Sequence, residues 1–209
     1  HGIGLRSPSH SSGQSYTIVF PTSNITAGKF LKVDSVSGSG ATGIGQLSFA
    51  DAGGGKVNQV IQTVKTDTTS YSNASSFADI SGMSVTITPS SSSNKILVFP
   101  DLGLASANMT DHHCIWRILR GSTPIAESTT ATTAQLKGTG GMHRGANGAN
   151  AYFLGHSKMF IDSPNTTSAT TYKCQWSAYD SNATLYLNRR GSNLAVGSIS
   201  TITVMEIKG

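Results

Sequence analysis

The residues able to do chemistry are few and scattered. Ten carboxylates lie singly along the chain, at Asp34, Asp51, Asp67, Asp79, Asp101, Asp111, Glu127, Asp162, Asp180 and Glu206. Glycoside hydrolysis needs two of them about 5–9.5 Å apart, and no spacing in the sequence favours such a pair. Most stand at turns or strand ends, where an Asp side chain satisfies backbone donors. Gly155-His156-Ser157 lacks the flanking glycines of a nucleophile elbow. His113 and Cys114 are sequence neighbours, and neighbours on a strand point to opposite faces, which argues against a Cys–His dyad. Asp111-His112-His113 and His143 offer ligand-type side chains without metal-site spacing. Exposed turn histidines are the simpler reading. The expectation is no catalytic residue, no metal site and no cofactor.

The two cysteines, Cys114 and Cys174, each sit in a Cys-x-Trp triplet. Two buried thiols beside tryptophans is the plainer reading; a disulfide is the alternative. The net charge of +5 comes from dispersed basic residues, and Arg189-Arg190 is an isolated adjacent pair. Without basic and aromatic residues interleaved, nucleic-acid binding is not expected. No apolar run approaches the ~20 residues of a membrane span, so membrane insertion is not expected either.

What remains is recognition. The stretch Thr129–Asn150 is rich in glycine and almost free of large apolar residues, and reads as a long irregular loop. It offers His143, Arg144, Asn147 and Asn150. The turn after Cys174-Gln175-Trp176 offers Tyr179 and Asp180. Arg189 and Arg190 present guanidinium forks that suit phosphate or carboxylate groups.

These residues need a scaffold, and its pattern is that of sheet. Ser and Thr are abundant, charged residues make up only 12% of the chain, and no window carries a helical apolar stripe. From Lys56 onward strand signals recur. Met83, Val85 and Ile87 alternate with polar residues, as do Tyr172, Cys174, Trp176 and Ala178. "NKILVFPDLGL" is apolar on both faces, like a central strand; "AYFLGHSKMFID" reads as one long strand. About eight strands suit a jelly-roll-like β-sandwich over residues 56–209.

Residues 1–55 differ. Tyr16, Ile18 and Phe20 alternate with Thr17 and Val19 up to Pro21; Phe30 and Leu31 follow; then comes a Gly/Ser tract and a triple glycine at Gly53–Gly55. This segment has too few apolar residues to bury itself, so several copies must share one interior.

Leu5-Arg6-Ser7-Pro8, Ser15–Pro21, Ala27–Asp34 and Gln46–Ala50 together resemble a segment of bacteriophage fibre proteins. The stretch from "TTSYSNASSFADISGMSVTITPSSSSNKILV" to "STITVMEIKG" resembles the C-terminal head of phage fibre and tail proteins. The resemblance implies an all-β, intertwined homotrimer: a thin shaft over 1–55 and a receptor-binding head over 56–209. It implies a virion location and attachment to a host-surface glycan or envelope protein. Contacts with other virion proteins would run through a part upstream of His1, the chain reading as an excised fragment. A structural virion protein without receptor binding is the alternative.

Overall fold

The computed structural model describes residues 16–24, 27–39, 43–51, 55–107, 112–130, 137–144, 153–179, 181–191, 194 and 196–209. It is all-β, with no helix among the described residues. The chain divides into two compact units, His1–Gly55 and Lys56–Gly209.

The first unit is a three-stranded ribbon of β1 (Tyr16–Val19), β2 (Lys29–Ser37) and β3 (Gly43–Asp51). β3 lies in the middle, parallel to β1 and antiparallel to β2. Register partners share a face of a sheet, so the ribbon sorts its side chains. Leu31 pairs with Phe49, Val33 with Leu47, and Val36 and Ile18 both meet Gly45, all on one side. Lys32, Ser35, Gln46 and Ser48 occupy the other, together with Val19, Phe30 and Ile44. A bulge at Asp34, between Val33 and Ser35, keeps Val33 and Val36 on the same side despite their odd spacing. That apolar side is half exposed: Leu31 is 42%, Val33 53% and Val36 67% exposed. Ile18, Val33 and Val36 also line a shallow groove of about 290 Å³.

The second unit is built from β4 (Val57–Lys65), β5 (Thr69–Ser72), β6 (Ala78–Ile87), β7 (Lys95–Ala107), β8 (His112–Arg120), β9 (Thr123–Ile125), β10 (Gly140–Arg144), β11 (Phe153–Ser157), β12 (Phe160–Asp162), β13 (Thr170–Ala178), β14 (Thr184–Leu187) and β15 (Ser200–Ile207). One sheet runs β10-β8-β13-β6, with β9 on β8. The other runs β4-β15-β7-β14-β5, with β11 and β12 on the far side of β7. The inward faces meet in one core, a β-sandwich: Met83, Val85, Ile87, Trp116, Ile118, Tyr172 and Trp176 from the first sheet face Ile96, Val98, Leu102, Leu185, Leu187, Ile202 and Val204 from the second.

The alternation read from sequence in β6 and β13 is the observed burial pattern, Ser177 apart. Ser177 is fully buried, its hydroxyl donating to Ala74 O at 3.4 Å. Both cysteines are free and buried on the core face of adjacent strands. Cys114 pairs in register with Ala178 and Cys174 with Ile118, a four-residue offset of about 13 Å at the usual strand rise. That is far outside disulfide reach.

Two expectations are corrected. Thr129–Asn150 is not wholly irregular: β10 lies within it and extends the sheet along β8, Gly140 opposite Trp116 and Met142 opposite Cys114. The glycines permit this. A Cβ on Gly140 would come within 2.8 Å of the Trp116 indole Nε1. The "AYFLGHSKMFID" stretch is not one strand but two, β11 and β12, each pairing with β7.

The outer surface of the larger sheet carries an apolar row. Val60 of β4 pairs with Met205 of β15, Met205 with Leu97 of β7, and Leu97 with Ile161 of β12. Val60 is 55% and Ile161 62% exposed.

Candidate functional site

Carboxylates serve the fold rather than a reaction centre among the described residues. Asp34 pairs with Lys32, Asp51 with Lys29, Asp67 with Lys65 and Glu127 with Arg117. Asp162 is not a simple turn residue. It is buried, with both oxygens 2.9 Å from Arg120 Nη1 and with the Tyr172 hydroxyl donating at 2.6 Å. Burial and this carboxylate push the Tyr172 hydroxyl well above its ordinary pKa. Glu206, also fully buried, accepts from Ser90 N and Oγ, Asn94 Nδ2 and Gln59 Nε2 at 2.6–2.8 Å. No cluster of three or more His, Cys, Asp or Glu residues able to hold a metal occurs among the described residues.

On the outer face of the smaller sheet a polar lattice is closed on itself. Arg117 donates through Nε and Nη2 to Gln175 Oε1 and through Nη1 to Glu127, with its guanidinium 3.7 Å above the Phe77 ring. Gln175 and Lys173 both donate to Asp79, each at 2.7 Å. With its donors and acceptors matched internally, this surface offers a ligand little.

The predicted recognition residues do not form one constellation. His143 and Arg144 end β10, in register with His113 and His112. Asn147, Asn150 and Asp180 lie outside the described residues. Tyr179 follows the last residue of β13 and is half exposed. Arg189 and Arg190 sit together on the segment that joins β14 to β15.

That segment forms a concavity in the second unit. Its cornerstone is Asn188, whose backbone is left-handed at φ 63°, a conformation Asn tolerates better than most residues. The Asn188 amide donates to Lys65 O at 2.8 Å and Asp67 O at 2.9 Å, and its oxygen accepts from Ser200 Oγ at 2.6 Å. The chain turns there and doubles back: Arg189 bridges to Gly197, Arg190 N donates to Val196 O, and Ser198 N donates to Asn188 O. Thr66 and Thr68, just beyond β4, close the other wall. The cleft is open to solvent and measures about 410 Å³.

Arg189 is held in this cleft by a neighbour that the sequence reading missed. Its guanidinium carbon stands 4.6 Å over the ring of Tyr186, and its Nε donates to Arg190 O at 3.2 Å. The left-handed turn at Asn188 brings residues 186 and 189 to one side, and an Asn between an aromatic and an arginine was the available signal. Neither Arg189 nor Arg190 meets a carboxylate among the described residues. Ser198 Oγ and Arg190 Nε are buried without a hydrogen-bond partner in the structure.

No protein-family model and no curated protein matches the chain. Among solved structures it is similar to that of infectious bursal disease virus, Gx strain, at 10% identity and a TM-score of 0.35, covering 84% of this chain and 50% of that one. It is also similar to the VP2 subviral particle of infectious bursal disease virus, at 12% identity and a TM-score of 0.36, covering 77% and 43%. The chain thus spans half or less of the length of these two structures, and likenesses at such TM-scores carry no weight for fold or role.

Proposed function

We propose that this chain is the C-terminal part of a bacteriophage fibre protein that attaches the virion to its host. It works as an intertwined homotrimer, the ribbon forming a thin shaft segment and the sandwich, read as the jelly-roll type, forming the head. The carrying observation is the half-exposed apolar side of the ribbon, with Ile18, Leu31, Val33, Val36, Leu47 and Phe49 on one face. Burying the apolar surface still exposed gains about 25 cal/mol per Å², and identical ribbons can provide that burial for one another. The apolar row Val60-Met205-Leu97-Ile161 supports the same reading for the head, because a partner copy brings a matching uncharged surface. The motifs quoted above, shared with phage fibres, support the role. Three heads per fibre would multiply a weak single-site affinity for a surface glycan or other envelope receptor.

Light scattering gives the mass in solution; the expected result is three chains, held together in cold SDS. Fluorescently labelled protein should stain host cells and compete with infection. A monomer in dilute buffer overturns the reading. A trimer that neither stains cells nor competes is a structural virion component instead.

A further inference from the structure

The cleft beside Arg189 combines three features. It has an arginine with no carboxylate counterpart among the described residues. It has hydroxyl groups at Thr66 and Thr68. It has aliphatic surface at Leu194 and Ile199, which are 70% and 57% exposed. The nearest acidic neighbour along the wall, Asp67, is engaged by Lys65 at 2.9 Å. A guanidinium stacked on a tyrosine is pre-ordered for a planar oxyanion. Fixed before binding, the pair loses less freedom when a ligand arrives.

We infer that this cleft binds a carboxylate-bearing sugar, a uronic acid unit of an acidic polysaccharide. The carboxylate meets Arg189, the ring hydroxyls meet Thr66 and Thr68, and the apolar C–H face of the ring rests on Leu194 and Ile199. A volume of about 410 Å³ is room for one to two sugar rings. A neutral sugar would leave the guanidinium unmatched; a bare carboxylate would leave the hydroxyls and aliphatic surface unused. The assignment rests on the attachment reading only for where the polysaccharide occurs.

The test is saturation-transfer NMR with the full chain against D-glucuronate, with D-glucose and sodium acetate as controls. Glucuronate should give transfer at millimolar concentrations. Glucose and acetate should bind at least tenfold more weakly, Arg189→Ala should abolish the glucuronate signal, and Arg189→Lys should only weaken it. The inference is overturned by equal binding of glucose or acetate, by unchanged binding in Arg189→Ala, or by no transfer at 50 mM, a concentration on the order of tenfold above a weak single-sugar Kd. Cell staining run in parallel keeps the two readings apart. Stained cells without glucuronate transfer sink the sugar assignment alone. Glucuronate binding without staining sinks attachment alone.

Discussion

Asn94 and Glu206, 112 positions apart in the chain, meet at 2.6 Å in the interior of the sandwich. The contact ties the Ser90–Asn94 turn to the last strand, and Gly209 N returns to Asn94 Oδ1 at 3.1 Å. Desolvation alone would push the Glu206 carboxyl up. The hydrogen bonds from Asn94, Gln59 and Ser90 outweigh it and hold the pKa down at about 2.

Because the folded-state pKa is depressed from an ordinary 4.5, this group's stabilisation is complete above pH 4.5. It is lost as pH falls from there through about 2. Glu206→Gln sets an amide donor against donors and should cost about 2 kcal/mol at pH 7 by urea denaturation. It should also flatten the dependence of stability on pH in that window. An unchanged slope would show that another group carries it.

The approach of β10 to Trp116 depends on Gly140. Gly140→Ala should destabilise the second unit by about 1–3 kcal/mol through overpacking and speed hydrogen exchange along the β8–β10 pairing. Gly155→Ala is the control, since nothing lies within 4 Å of a Cβ at that position. It should stay within about 0.5 kcal/mol of wild type. Equal effects of the two would refute steric contact as the cause.

Ribbon association is tested by charge placement. Val33→Asp puts a carboxylate on the apolar side and should convert the oligomer to smaller species by sedimentation, while tryptophan fluorescence of the sandwich stays native. Ser35→Asp, on the opposite side, should leave the mass unchanged. If both or neither dissociate the assembly, the sidedness argument fails.

Burial pushes the Cys114 and Cys174 thiols up to about 12. Both should ignore a maleimide at pH 8 in the native protein and react once urea unfolds it. That silence makes an introduced cysteine readable. Ile161→Cys should cross-link between copies with a short bismaleimide if the apolar row faces a sister chain. Quick labelling with no cross-linked product would place the row in solvent.

The sandwich was legible where side chains alternate strictly. Met83, Val85 and Ile87 announce β6, and Tyr172 to Ala178 announce β13, because a half-buried strand sorts residues with a period of two. β10 was not legible. Its glycines lower strand propensity, and their reason is Trp116 and Ile115 on a neighbouring strand that no local window contains. The burial of Glu206 had a signal: it shares its parity on β15 with Ile202 and Val204, both buried. Its partners Ser90 and Asn94 are distant in sequence, so only the fold could supply them. Arg189 was picked out for its charge; its stacking on Tyr186 depends on one left-handed residue between them. Asp162 stands at a strand end, as most carboxylates were expected to, but its partners Arg120 and Tyr172 reach it from other strands.

On the homotrimer reading, the ribbon's apolar side also sets a timetable. Those residues precede the sandwich in the chain, so they leave the ribosome before it, yet the surface they rest on comes from the ribbons of sibling polypeptides. Synthesis and maturation therefore run in opposite directions along the molecule, and the interval between them is when the newborn chain most needs a chaperone or close neighbours on the same polysome.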